Sequence, residues 1–147
     1  MSQDLVLPSE MEEDALDKTK IEVFFFLDTS GSCIGYKNRF FKAALSLPKN
    51  FNVRLFCFDT QVRETTLISR KIYGGGGTNF GIIEAHIQKV MKEDKCAYPK
   101  AVFIITDGWG TAVNPAKAEN WYWFLTTNNS RNYIPEKSNV YLLANFE

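Results

Sequence analysis

Histidine is nearly missing from this chain, with His86 its single representative. One imidazole builds neither an H-E-x-x-H metalloprotease site nor a two-histidine zinc site. Cysteine is scarce as well. Cys33, Cys57 and Cys96 are odd in number and match no C-x-x-C spacing, which argues against zinc fingers and a complete disulfide framework and fits a reducing compartment. Net charge is absent, because seventeen Lys and Arg balance seventeen Asp and Glu. The non-specific electrostatic grip of a nucleic-acid binder is therefore not available. Long apolar runs are lacking too: the longest, residues 23–27, falls far short of a membrane span, and the acidic N-terminus has no apolar signal-peptide core. These absences lead us to expect a soluble, cytoplasmic protein with no nucleic-acid or membrane partner.

What the chain has in quantity is aromatic surface, at 14% of its 147 residues with twelve Phe. That is enough apolar payload for one domain to build a core without disulfides or a structural metal. Residues 1–19 form an acidic extension, with Asp4, Glu10, Glu12, Glu13, Asp14 and Asp17, and Ser9 and Glu12 have capping-box spacing. The domain proper is expected over residues 20–147. A near-continuous β-branched and aromatic run, Ile21–Asp28, predicts a central strand covered on both faces. Tyr36, Phe40, Phe41, Ala44 and Leu45 then fall on one helical face, and Pro48 stops the pattern. A second strand is expected at 52–58. A tight turn at Asp59-Thr60 leads into a third at 62–66, with too few residues between for a crossover helix, hence an antiparallel edge hairpin.

After Gly74-Gly75-Gly76-Gly77, the apolar residues Ile83, Ile87, Val90 and Met91 recur with helical spacing. A fourth strand, Ala101–Thr106, runs into Asp107-Gly108. Asn114-Pro115 predicts a short helix, and strands follow at 121–127 and 140–143. The alternation predicts an α/β fold with a doubly wound, mostly parallel sheet and one antiparallel edge strand.

In such sheets functional groups collect beyond the carboxyl ends of the strands. Three polar clusters qualify: Asp28-Thr29-Ser30-Gly31-Ser32, Gly77-Thr78, and Thr106-Asp107-Gly108. Apart from Cys33, they form an all-oxygen set suited to Mg²⁺, Mn²⁺ or Ca²⁺ rather than zinc. The same Asp28 and Ser30 could merely cap a helix, and the glycine run lacks the Lys-Ser or Lys-Thr of a phosphate-binding Walker loop. Cys33 reads as a buried thiol, His86 as a packing residue, and Trp121 and Trp123 as core. Trp109, just past Asp107-Gly108, is an aromatic on a rim that should be wet, placed to anchor a partner.

The order D-T-S-G-S, G-G-G-G-T-N-F and I-I-T-D-G resembles the metal-ion-dependent adhesion site (MIDAS) of von Willebrand factor type A (VWA) domains. More narrowly it resembles the VWA-like domain of predicted metallopeptidases, a subfamily that usually has Asp where Asn79 stands. The resemblance implies a Rossmann-like fold and a magnesium-type ion held by Ser30, Ser32 and Thr78, with Asp28 and Asp107 in direct or water-mediated contact. It also implies a partner whose acidic residue completes the coordination, and a link to an ATPase or a metallopeptidase-like subunit. Proteolysis itself does not carry over without an H-E-x-x-H motif. The leading expectation is a non-enzymatic, metal-dependent protein-protein interaction module. The alternatives are a metal-dependent phosphohydrolase or nuclease using Asp28 and Asp107, and a structural subunit with a silent site.

Overall fold

The run Ile21–Asp28 forms the central strand β1, whose residues from Val23 to Asp28 are buried. The structure, a computed structural model, describes residues 21–146 except the side chains of Ser32 and Ile34. The acidic extension at 1–19 lies outside the described residues. β1 pairs in parallel with β2 (Phe51–Phe58) on one side and with β4 (Ala101–Thr106) on the other, with Asp28 opposite Phe58 and Leu27 opposite both Cys57 and Ile105. β3 (Val62–Thr65) closes the β2 edge as the expected antiparallel hairpin. β5 (Trp121–Leu125) and β6 (Asn139–Leu142) extend the other edge in parallel. The result is an α/β fold around a six-stranded sheet of order β3-β2-β1-β4-β5-β6, parallel except for one pair.

Alternate residues of β1 serve different packing layers, as strand geometry requires. Phe24 and Phe26 join Phe56, Phe58, Val102, Ile104, Trp121 and Trp123 beneath helix α2 (Gly81–Asp94), which buries Ile83, Ile87 and Val90. Phe25 and Leu27 join Leu55 and Ile105 beneath helix α1 (Lys37–Leu45), which buries Phe40, Phe41 and Ala44. The tryptophan pair is core, as expected, both at 0% exposure. His86 packs edge-on against Phe56 with ring centroids 4.9 Å apart, also as expected.

Three expectations need correction. Leu45 is 55% exposed, because it lies about a quarter-turn beyond the face that Phe40, Phe41 and Ala44 share and the helix ends there. No helix starts at Asn114-Pro115. Residues 110–113 are instead drawn across the start of α2: Thr111 Oγ1 accepts from Phe80 N at 3.0 Å, and Val113 packs on the core. These contacts override the local capping signal, and only a 3-10 turn, Ala118–Asn120, precedes β5. The fifth strand stops at Leu125, two residues early, because Thr126 N turns to Thr106 O at 3.0 Å and begins the rim loop. No helix among the described residues is long and apolar enough to cross a membrane.

Candidate metal centre

Strand order reverses at β1, so the chain leaves β1 toward one side and β4 toward the other, opening a crevice at their carboxyl ends. Asp28 ends β1 inside this crevice, completely buried. Its Oδ1 accepts from Ser30 N at 2.9 Å and from Ser30 Oγ at 2.6 Å, and its Oδ2 accepts from Thr106 Oγ1 at 2.6 Å. Thr78 Oγ1 approaches both oxygens at 3.4 and 3.5 Å, the outer edge of hydrogen-bond range. Asp28, Ser30, Thr78 and Asp107, from three separate segments, thus lie close together. The side chain of Ser32 lies outside what is described, although its backbone sits in the 3-10 turn Gly31–Tyr36 after β1.

Burial drives the Asp28 carboxyl above its ordinary range, outweighing the hydrogen bonds from Ser30 and Thr106, and the charge of Asp107 adds to the rise. Among the described residues its hydrogen-bond partners are hydroxyls and one backbone amide, none of them a cation. Asp28, Cys33 and Asp107 each place a ligand-type atom within 4.8 Å of the other two. Burial, together with the two carboxylates, pushes the Cys33 thiol up to about 12, so it is protonated at neutral pH. The chain thereby supplies a hard-oxygen cluster beside one neutral thiol. Its chemistry fits a divalent cation, which would relieve both the burial penalty on Asp28 and its repulsion with Asp107.

Asp107 anchors the rim. Its Oδ1 accepts from Trp109 N at 2.9 Å and its carbonyl accepts from Ser130 N at 2.8 Å. Gly108, at φ 83°, passes so close to Ser130 O that any Cβ would collide with it. Trp109 stands 54% exposed beyond this junction, with its Nε1 donating to Asn128 O at 2.9 Å. Asn79 serves the helix: its Oδ1 accepts from Gly81 N and from Thr111 Oγ1, both at 2.9 Å, and caps the start of α2.

Two further residues stand beside the expected ligands, and their contacts carry no local sequence signal. Thr106 was visible as part of the Thr106-Asp107-Gly108 motif, but its direct bond to Asp28 spans 78 positions and has no local signal. Cys33 enters because side chains three apart eclipse in a 3-10 turn, and Cys33 N donates to Ser30 O at 2.9 Å. A groove of about 560 Å³ beside α1, lined by Phe25, Phe103 and Phe124, contains none of the cluster residues. Compared with known proteins, the chain matches no family model and no curated relative.

Proposed function

We propose that this chain is a divalent-metal-dependent protein interaction module, a cytoplasmic, doubly wound domain of the VWA type. The observation that carries this reading is one fully buried carboxylate, Asp28, ringed by the hydroxyls of Ser30, Thr78 and Thr106 and lying beside Asp107, with no cation among its described partners. Asp28, Ser30, Ser32, Thr78 and Asp107 would hold a magnesium-type ion, with Mn²⁺ or Ca²⁺ as alternates. Such an ion, when bound, supplies a Lewis-acidic position for a carboxylate. Two acidic side chains against neutral hydroxyls leave it able to accept an acidic residue from a partner. A partner associated with an ATPase or a metallopeptidase-like subunit fits the resemblance. The half-exposed Trp109 ring, pinned to Asn128, offers an apolar anchor at the rim. We propose a non-enzymatic role; the chain's one imidazole, His86, packs against Phe56.

The test is affinity capture on wild type, Thr78→Ala and Trp109→Ala, each with Mg²⁺ and with EDTA, followed by titration of the captured protein. Binding should need metal, disappear in Thr78→Ala, and weaken in Trp109→Ala even at saturating Mg²⁺. Equal affinity in EDTA and for Thr78→Ala overturns the metal bridge.

A further inference from the structure

The Thr78 ligand position depends on a loop that has little else to hold it. Gly74, Gly75, Gly76 and Gly77 are all exposed, and Thr78 itself reaches Asp28 only at 3.4 and 3.5 Å. The loop is fastened instead from the neighbouring strand end. β2 finishes at Phe58, opposite Asp28, and the next residue, Asp59, grips the loop on both sides of Thr78. Its Oδ2 accepts from Gly76 N at 3.1 Å, and its carbonyl accepts from Asn79 N at 2.9 Å. Its other carboxylate oxygen accepts from Gln61 N at 2.8 Å, which fixes the side chain's direction.

The seat beneath the loop belongs to the same corner. Thr29, next to Asp28, donates its N–H and its hydroxyl to Phe58 O at 2.9 and 3.1 Å. Gly74, at φ 114°, lies so close over Thr29 that a Cβ would strike Thr29 Oγ1. Burial of Asp59 is outweighed by the backbone amides of Gln61, Gly76 and Thr60, which hold its carboxyl below the ordinary range. The carboxylate therefore stays an acceptor throughout the neutral range.

We propose that Asp59 is a positioning residue for the metal centre: it clasps the glycine loop at Gly76 and Asn79 and so sets Thr78 against Asp28. The inference rests on Thr78 being a metal ligand, and the two experiments below separate it from that reading. Among the described residues the hydrogen bonds of Asp59 run to Gln61, Gly76 and Asn79 and to no cluster side chain, so its effect passes through the loop that carries Thr78. Outer positioning groups typically alter metal affinity about 10- to 100-fold.

The first experiment is Mn²⁺ titration of wild type, Asp59→Ala, Asp59→Asn, Thr78→Ala and the Asp59→Ala/Thr78→Ala double variant, with melting in EDTA as a control for folding. Asp59→Ala should weaken Mn²⁺ about 10-fold or more, Asp59→Asn less because it keeps one acceptor, and the double variant no further than Thr78→Ala. Wild-type affinity in Asp59→Ala, or additive losses in the double variant, overturns the proposal. The second experiment needs no metal: in EDTA, Asp59→Ala removes the carboxylate acceptor of Gly76 N but keeps the carbonyl that holds Asn79 N, so amide hydrogen exchange should accelerate at Gly76 while Leu27 and Ile105 stay protected. Unchanged exchange at Gly76 overturns the clasp even if wild type binds Mn²⁺. Accelerated exchange at Gly76 in Asp59→Ala, together with a wild type that binds no Mn²⁺, upholds the clasp and defeats the metal reading instead.

Discussion

Replacing Asp28 with Asn should produce stability curves that cross on adding metal. The substitution keeps the shape of the side chain. Its amide oxygen can still accept from Ser30 N and Ser30 Oγ, and its NH₂ can donate to Thr106 Oγ1, which also accepts from Gly108 N at 3.1 Å. Lost are the charge-assisted strengths of three short bonds, about 1 kcal/mol each. Gained is relief from a desolvation penalty of several kcal/mol for a buried ion. The raised carboxyl pKa decides the sign, since burial outweighs the hydrogen bonds. A group whose folded pKa lies above its unfolded value contributes stability that is full below the unfolded value of 3.8 and is lost as pH rises through the folded one. That contribution falls away as pH rises and the buried carboxylate is left charged, so in EDTA Asp28→Asn should melt at or above wild type on the alkaline side of that titration. In Mg²⁺ the order should reverse: at about 100 times Kd the wild type gains roughly 2.7 kcal/mol, about 10 °C in a domain of this size, and the variant gains nothing. The assay is thermal unfolding in EDTA and in a Mg²⁺ series at pH 7. Equal Mg²⁺ shifts in both proteins would refute Asp28 as a ligand, and a variant about 3 kcal/mol less stable in EDTA would refute the claim that burial dominates.

Cys33→Ser should leave Mg²⁺- and Mn²⁺-dependent stabilisation intact, because the thiol is held protonated up to about 12 beside the oxygen set; loss of the Mn²⁺ shift would make the thiol a ligand. His86 is pushed below 6.5 by burial against Phe56 and then by the charge of Lys89, so it contributes stability above 6.5 that is lost as pH falls through its folded value. His86→Gln should flatten the stability profile between pH 7.5 and 5 by a few tenths of a kcal/mol after solvent screening, as read by urea titration; an unchanged slope would assign that slope elsewhere.

The sheet was legible where burial on two faces left its mark. Ile21–Asp28 and Ala101–Thr106 read as near-unbroken apolar runs because each lies between two strands and is covered by both packing layers. The β2-β3 hairpin was legible from chain length alone, since Asp59, Thr60 and Gln61 cannot carry a crossover. Illegible were features decided by distant contacts. Asn114-Pro115 is a good local helix start, yet the chain just before it is committed to Phe80 and the core. In the site, Asp28, Ser30, Thr78 and Asp107 belong to short motifs and could be named. Cys33 could be named only as a buried thiol beside them, because no local signal marks the 3-10 turn Gly31–Tyr36 that follows β1. Asp59 looked like an ordinary turn residue, since its link to Gly76 joins positions 17 apart.

The gathered groups differ in how firmly they are held, and this bears on how a partner is selected. Asp28 and Thr106 end adjacent central strands and bond to each other at 2.6 Å, while the Asp107 backbone is locked to Ser130. To displace the Asp28 carboxylate, strand pairing in the buried core must yield, which ties its position to opening near the global unfolding free energy. Thr78 instead rides on four exposed glycines and a single acidic residue. It can shift at the much lower cost of local opening. The carboxylate side of the centre therefore fixes where charge collects, and the glycine loop governs how closely the last oxygen approaches. A partner's acidic residue would meet a cluster whose charge is preset and whose final contact is adjustable. Binding should then be more sensitive to substitutions in the Asp59 clasp than their small effect on overall stability suggests.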